Sequence, residues 1–296
     1  MNLLHPAALA ALLFLQGLPA HALDGIRVTL LGTAAPEAPG GAPGPSALLE
    51  AGEETLIFDC GPGTRARLEQ AGVPVRDLTA MFLSTLDPRR LEGCRELWRA
   101  RAGEGGGGPL PVWGPNGTAD LVGQFETASG LTPQSAAIGF DIVDNVVYQP
   151  EGVTVTAFVT DSGSLPSYGY RVDAMRRSVT LSGSTRYSEN VARYARGVHL
   201  LLHEVAAAGA RPDAAGLPQA HTSPEDAARI FRTAHPYLAV YSQMLLIDVT
   251  PEDLLRRTRN LYRGAVEVGR DLLVIEIENE VQIRSAPSEP RRTGTP

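Results

Sequence analysis

From Leu23 onward, short apolar runs alternate with polar turns and with segments of helical spacing. Runs of this length that are rich in β-branched residues and bounded by glycine or polar residues are typical of β-strands. The first half of the chain contains four of them, at Ile26–Leu31, Ala47–Glu50, Thr55–Asp59 and Ala80–Ser84. The second half contains six, at Val153–Val159, Tyr168–Val172, Ser178–Ser182, Val198–His203, Tyr237–Tyr241 and Leu272–Ile277. Two strand-rich halves with helices between them predict a layered α/β fold.

Two helix starts can be identified from their capping residues. Ser223 is followed by proline and two acidic residues, which predicts a helix from there to about Ala234 and places His221 on the loop entering it. Asp87 is also followed by proline, directly after the strand that ends at Ser84. This second pattern predicts a strand-turn-helix junction, which is where α/β folds place their chemistry.

The composition is that of an ordinary globular protein. The chain has 296 residues, 43% of them hydrophobic, and a formal net charge of −7, so its core needs no disulfide or structural metal. All of its basic side chains are arginine, because the sequence contains no lysine. That excludes a Walker A phosphate loop and lysine Schiff-base chemistry, and the glycine-rich stretch Arg101–Gly108 is therefore predicted to be a surface loop. The acidic balance argues against nucleic acid as a partner.

The two ends of the chain are predicted to lie outside the folded domain. Residues 1–22 combine an apolar stretch with the small-residue site Ala20-His21-Ala22, which predicts a signal peptide and an exported, periplasmic or secreted protein. A membrane anchor is the competing interpretation, although the stretch is too short to span a bilayer. Residues 285–296 are predicted to be a disordered tail, which leaves a single domain at 23–284. In an exported protein Cys60 and Cys94 could form a disulfide, or they could remain two buried thiols.

Seven short motifs, in order along almost the whole predicted domain, resemble the metallo-β-lactamase fold, and in particular its ribonuclease Z and arylsulfatase-like branch. They are Leu31-Gly32-Thr33, Gly44-Pro45-Ser46, Phe58-Asp59-Cys60-Gly61-Pro62-Gly63-Thr64, Tyr168-Gly169-Tyr170-Arg171, Ser182-Gly183-Ser184-Thr185-Arg186, His203-Glu204 and His221-Thr222-Ser223-Pro224. The resemblance implies a four-layer αββα sandwich and, in active members, a two-zinc hydrolase in which a metal-bound hydroxide attacks an ester.

The resemblance also locates the residues that would bind zinc, and here the chain departs from the family pattern. All seven ligand positions hold other residues: Thr85, Asp87, Arg89, Arg90, Ser162, Ser184 and Gln243. Threonine, arginine, serine and glutamine are not ordinary zinc ligands, and two adjacent arginines would repel divalent cations. We therefore expect no cofactor and a pseudoenzyme with a degenerate metal site. The alternative is a zinc-dependent hydrolase of sulfate, phosphate or related esters with an unconventional site.

The histidines and acidic residues of the predicted domain allow other catalytic arrangements. His199 and His203 are four residues apart, but Ser188–Arg196 is predicted to be the helix and Val198–His203 a strand, so the two histidines cannot share an ion. A mononuclear site formed by His203, Glu204, His221 and Asp87 remains conceivable. So do a triad of Ser184 with His203 or His221, and acid–base chemistry by Asp59 and Asp161. Structural hydrogen bonding is favoured in each case.

The former cleft itself suggests a different use. Arg89, Arg90, Arg186, His203, Glu204 and His221 are the candidate pocket residues, bordered by the hydroxyls and amide at the old ligand positions. Guanidinium groups, hydroxyls and a helix N-terminus suit an oxyanion. The hypothesis is that the cleft binds a small phosphate, sulfate or carboxylate without turnover. The alternative is that these side chains fill space and form salt bridges among themselves.

Overall fold

A computed structural model describes residues 24–38, 41–103, 108–143, 145–163, 165–209 and 220–284. The predicted signal peptide at 1–22 and the predicted tail at 285–296 lie outside the described residues. None of the described helices is long and apolar enough to cross a membrane.

Two sheets form the centre of the fold. The strands, in chain order, are β1 Ile26–Gly32, β2 Ser46–Ala51, β3 Glu54–Phe58, β4 Ala80–Phe82, β5 Leu110–Gly114, β6 Ala137–Asp141, β7 Val146–Tyr148, β8 Val153–Asp161, β9 Pro166–Ala174, β10 Arg177–Leu181, β11 Leu200–Ala208, β12 Leu238–Ile247, β13 Val266–Val268, β14 Leu273–Ile277 and β15 Val281–Arg284. The first sheet has eight strands in the order β15-β14-β1-β2-β3-β4-β5-β6, and the second has seven in the order β13-β12-β11-β10-β9-β8-β7.

Helices cover the outer face of each sheet. They are α1 Thr64–Gln70, α2 Cys94–Gly103, α3 Thr118–Ala128, α4 Glu189–Tyr194, α5 Pro224–Ala234 and α6 Pro251–Arg259, with short 3₁₀ turns at Val75–Asp77 and Pro88–Arg90. One apolar cluster joins the inner faces of the two sheets. A second lies between the first sheet and α1–α3, and a third between the second sheet and α4–α6. These layers confirm the predicted αββα sandwich.

The predicted strands match the observed ones within one or two residues in most cases, but two needed correction. The strand predicted at Val198–His203 runs as Leu200–Ala208, and the one predicted at Tyr237–Tyr241 runs as Leu238–Ile247. Polar side chains in the middle of each, Glu204 and Gln243, interrupt the apolar pattern that the prediction followed. The prediction of a loop at Arg101–Gly108 was wrong for its first three residues, because α2 extends to Gly103.

The helix start predicted at Ser223 is confirmed. Its hydroxyl accepts a hydrogen bond from the Asp226 N–H at 3.1 Å, and α5 begins at Pro224. Asp87 also caps its segment, accepting from the Arg89 N–H at 3.0 Å. The segment after it is only the three-residue 3₁₀ turn Pro88–Arg90, however, and the α-helix begins later, at Cys94. In place of the predicted helix start, the chain thus forms a short turn after Asp87. This turn sets the directions of the Arg89 and Arg90 side chains.

Cys60 and Cys94 form a disulfide with their Cα atoms 5.1 Å apart. The bond joins the loop after β3 to the start of α2, and both residues are fully buried. Gly93 permits this approach, because its N–H donates to the Cys60 carbonyl at 2.9 Å and a Cβ there would lie 2.2 Å from the Gly61 carbonyl oxygen. The disulfide therefore holds the Pro88–Arg90 turn against the end of β3.

Candidate functional site

The cleft lies between the two sheets, where loops leave the carboxyl ends of several parallel strands. Asp59 follows β3, Ser84 follows β4, and the Pro88–Arg90 turn comes next along the chain. From the other sheet, Glu204 lies within β11 and Gln243 within β12. Because strand ends meet at one edge of each sheet, residues distant in sequence are brought together here.

Asp59 is a buried carboxylate on the floor of the cleft. Its backbone has a φ of 56°, a left-handed conformation that aspartate tolerates better than most residues. The carboxylate accepts hydrogen bonds from the Ser84 N–H at 2.7 Å and the Ser84 hydroxyl at 2.8 Å. Burial raises the pKa of the Asp59 carboxyl, while attraction to Arg90 and the bonds from Ser84 oppose that rise. Asp59 thus fixes the end of β4.

Arg90 points into the cleft, and its side chain is only 3% exposed. One guanidinium nitrogen, Nη1, donates to Gln243 Oε1 at 2.6 Å, and the other, Nη2, lies 3.9 Å from Glu204 Oε2. The guanidinium therefore links the turn of the first sheet to two strands of the second. It brings a permanent positive charge into the centre of the cleft.

Gln243 reaches Arg90 because β12 is irregular at this point. Between the pairs His203–Tyr241 and Val205–Met244, β12 contains one more residue than β11, which is a β-bulge. Gln243 has a φ of 54° within that bulge. Bulges redirect side chains, and a left-handed non-glycine residue costs on the order of 1 kcal/mol or more. The hydrogen bond from Arg90 is one contact that offsets this cost.

Glu204 and His221 form a second buried pair. Glu204 accepts from the Thr222 N–H at 3.0 Å through Oε1, and its Oε2 lies 3.3 Å from His221 Nδ1. Burial alone would lower the pKa of His221, but the hydrogen bond and charge of Glu204 outweigh it and raise the pKa above its usual value. Glu204 thus lies between the Arg90 guanidinium and the His221 imidazole.

The remaining arginines predicted for the pocket are paired at its edge. Arg89 is 55% exposed and contacts Glu37 at 2.8 Å and Asp87 at 2.7 Å. Arg186 is also exposed and contacts Asp161 at 2.9 Å. That hydrogen bond is the main reason that the pKa of Asp161 is lowered. Each guanidinium of the predicted pocket therefore already has a carboxylate partner.

His203 does not join these residues. Its ring packs edge-on against Phe231 of α5, with ring centroids 5.6 Å apart, so it faces the helical layer rather than the cleft. Nδ1 contacts the Glu204 carbonyl oxygen, while Nε2 is buried and has no hydrogen-bond partner among the described residues. Burial lowers the pKa of His203 and keeps the ring neutral. The predicted pocket set is corrected at this residue, and the mononuclear site and the triad that required His203 are removed.

The other predicted positions are scattered around the cleft. Thr85 is buried and forms an isolated bridge with Ser167. The Ser162 hydroxyl donates to the Leu165 carbonyl at 2.5 Å at the tip of the β8–β9 hairpin. Ser184 is 9% exposed, and its hydroxyl makes no hydrogen bond to His221 among the described residues. Asp161 lies at the exposed end of β8 and Asp59 on the buried floor, so they do not form an acid–base pair.

A small cavity lies beside this network, with a volume of about 20 Å³, which is enough for one water molecule. The polar side chains on its wall are Ser46, Asp59, Ser84, Ser182, Ser242 and Gln243. A phosphate or sulfate is several times larger than a water molecule and would not fit without movement of the walls.

The residues present do not fit the two zinc ions that active members of such a family would carry. Within the described ranges, no three histidine, cysteine, aspartate or glutamate side chains converge as a metal-binding group. The central position is taken by the Arg90 guanidinium, which has no lone pair to donate and repels cations. We therefore derive no chemical step through a metal at this site.

Comparison with known proteins agrees with the architecture. Residues 54–242, more than half of the chain, match the family described as "Beta-lactamase superfamily domain". The chain belongs to this superfamily. It is 28% identical over 289 residues to a ribonuclease Z from Mycobacterium sp. (strain KMS), covering 88% of this chain and 99% of that protein.

Solved structures of superfamily members share the fold. The metallo-beta-lactamase fold protein YhfI from Bacillus subtilis aligns with a TM-score of 0.73 and 19% identity over 86% of this chain and 100% of that one. Human tRNase Z, short form, aligns with a TM-score of 0.68 and 20% identity over 84% and 98% of the two chains. This chain thus shares its fold with these superfamily members.

The sequence interpretation missed two features of this site. The first is the hydrogen-bonded contact between Asp59 and Ser84, although these two residues are the last residues of two predicted strands. The second is Glu37, whose ion pair with Arg89 joins segments far apart in sequence. No pattern in the sequence around either residue predicts an ion pair between them. The ends of two successive predicted strands, at Asp59 and Ser84, could have suggested the first.

Proposed function

We propose that this chain is a metal-independent, non-hydrolytic member of the superfamily. The observation that carries the proposal is Arg90, which occupies a position where the family pattern has a metal ligand and is buried between Gln243 and Glu204. A fixed cation at that point supplies positive charge to the surrounding carboxylates without an ion. The cleft is then a structural element of the fold.

Charge pairing supports this proposal over the binding of a small anion in the cleft. Arg89, Arg90 and Arg186 each have a carboxylate within 4 Å. An incoming phosphate would have to displace those carboxylates, and the adjacent cavity holds about one water molecule. The contacts favour the alternative in which these side chains form salt bridges among themselves.

Export is part of the same proposal. Disulfides persist in oxidising compartments and are uncommon in reducing ones, and the buried Cys60–Cys94 bond is consistent with the signal peptide predicted at residues 1–22. Recovery of the protein only from the cytoplasmic fraction, with both thiols free, would contradict it.

The second candidate is a metal-dependent hydrolase, favoured by the relatives named ribonuclease Z. Purification without chelator from metal-supplemented medium, followed by elemental mass spectrometry and assays on RNA and on phosphate and sulfate esters, separates the two candidates. We expect fewer than about 0.1 ions per chain and no hydrolysis above background. One or two ions per chain, lost in a Glu204→Ala/His221→Ala variant together with hydrolysis, would overturn the proposal.

A further inference from the structure

A second pocket lies at the opposite end of the second sheet from the cleft. Here the adjacent parallel strands β11, β12 and β13 begin, and the residues just before β12 and β13, with the end of α5, surround an open pocket of about 520 Å³. Its main polar and aromatic side chains are Arg232, His235, Tyr237, Tyr262 and Arg263. It shares no lining residue with the small cavity of the cleft.

Tyr237 presents an aromatic surface to this pocket. The residue is 69% exposed, although one face of its ring is stacked on His199 with centroids 5.2 Å apart and planes 9° from parallel. His199 is itself held by the Ser178 N–H, which lies 3.2 Å from Nδ1. A ring supported on one face and open on the other is suited to stacking against a planar ligand, because little side-chain freedom is lost.

Two arginines give the pocket its charge. Arg232 and Arg263 are exposed, and neither has an ion pair or hydrogen bond with any of the described residues. The nearby arginines differ, since Arg257 contacts Glu225 at 2.8 Å and Arg229 contacts Asp226 at 2.8 Å. No carboxylate lines the pocket. In a chain of net charge −7, this is a local concentration of unpaired positive charge.

The floor of the pocket is formed by Tyr262, which is 7% exposed. The loop crosses this ring at Gly264, where a Cβ would lie 2.2 Å from the tyrosine hydroxyl. Glycine is therefore required for the loop to pass so close. The buried Tyr262 ring and the two arginines thus line the same pocket.

From this arrangement we propose that the pocket binds a small aromatic anion, with its ring on Tyr237 and its anionic group between Arg232 and Arg263. Aromatic carboxylates and nucleoside monophosphates share this chemistry. Guanidinium groups pair with carboxylate or phosphate through two parallel hydrogen bonds, and the aromatic ring supplies the remaining contact. The site is independent of the non-hydrolytic role proposed for the cleft.

Isothermal titration of the full chain tests this proposal with 4-hydroxybenzoate and adenosine monophosphate, which distinguish the carboxylate from the phosphate source. Saturable binding of either supports the proposal. Adenosine and inorganic phosphate each carry half of the proposed ligand, and we expect both to bind at least about tenfold more weakly than adenosine monophosphate. If neither aromatic anion binds at concentrations up to about 5 mM, the proposal is wrong.

Three variants locate the binding. Arg263→Ala and Tyr237→Ala are each expected to weaken binding at least about tenfold, because each removes one of the two recognition contacts. Arg99→Ala, at an exposed arginine of α2 that also has no partner among the described residues, is the matched control and should leave binding unchanged. Thermal unfolding checks that each variant is folded, and Arg263 is exposed enough that its loss should not affect folding. Binding that survives Arg263→Ala would overturn the assignment.

Discussion

Replacing Arg90 by methionine should destabilise the protein far more than the same replacement at its neighbour Arg89. Methionine keeps much of the apolar volume of the side chain but removes the charge. At Arg90 it leaves Gln243 Oε1 without its donor at 2.6 Å and Glu204 without the cation 3.9 Å away, both near a side chain that is 3% exposed. At Arg89 it removes contacts of a side chain that is 55% exposed.

The magnitudes follow from burial. Removing one partner of a buried charged pair costs about 3–5 kcal/mol, because the other charge remains buried and uncompensated. An exposed pair contributes about 0–1 kcal/mol. In a domain of this size, each kcal/mol of lost unfolding free energy lowers the melting temperature by about 2 °C. The Arg90→Met variant should therefore melt about 6–10 °C below the wild type.

Urea unfolding followed by tryptophan fluorescence measures both free energies, since Trp98 is buried and Trp113 packs against the core between the sheets. Wild type, Arg89→Met and Arg90→Met are compared at pH 7 and the same salt concentration. A free energy of unfolding for Arg90→Met within about 1 kcal/mol of that for Arg89→Met would refute the reasoning, because it would show that the guanidinium does not hold the cleft together.

Three further predictions address neighbouring features. Folding raises the pKa of His221, so the contribution of this residue to stability is complete below its ordinary pKa of 6.5 and is lost as pH rises through the folded-state pKa. The free energy of unfolding should therefore fall between about pH 6 and about pH 8. The fall should be smaller in the His221→Gln variant. A Cys60→Ala/Cys94→Ala variant should lose about 4 kcal/mol in urea unfolding, the entropy of a loop with a sequence separation of 34, and an unchanged midpoint would contradict a disulfide in the native protein. The buried Glu126 carboxylate accepts three backbone N–H groups, two from the loop before β6 and one from the first residue of β6. Glu126→Ala should therefore cost about 3 kcal/mol or more, whereas Glu69→Ala on the exposed face of α1 should cost less than about 0.5 kcal/mol.

Several elements could be predicted because their signals are local. Strands such as Ile26–Gly32 follow from continuous apolar runs, and the start of α5 follows from a capping serine and a proline. The strands β5, β6, β7, β13 and β15, of three to five residues each, were not among the predicted strands. The α-helical start at Asp87 was also wrong, since a cap alone does not determine how far a helix continues.

The chain itself determined the layered fold, because strand patterning is a property of the sequence, and its residue identities are the basis of the proposed loss of the family's metal ligands. It did not determine which arginine enters the cleft. Arg89 and Arg90 are adjacent and chemically identical, and only the turn geometry and the bulge at Gln243 direct one to solvent and the other to Glu204. Likewise, consecutive side chains point to opposite faces of a strand, so His203 faces Phe231 and Glu204 faces His221. Which of the two faces the cleft depends on how the sheets pack. Contacts between distant segments are decided by tertiary structure, since no local pattern encodes them.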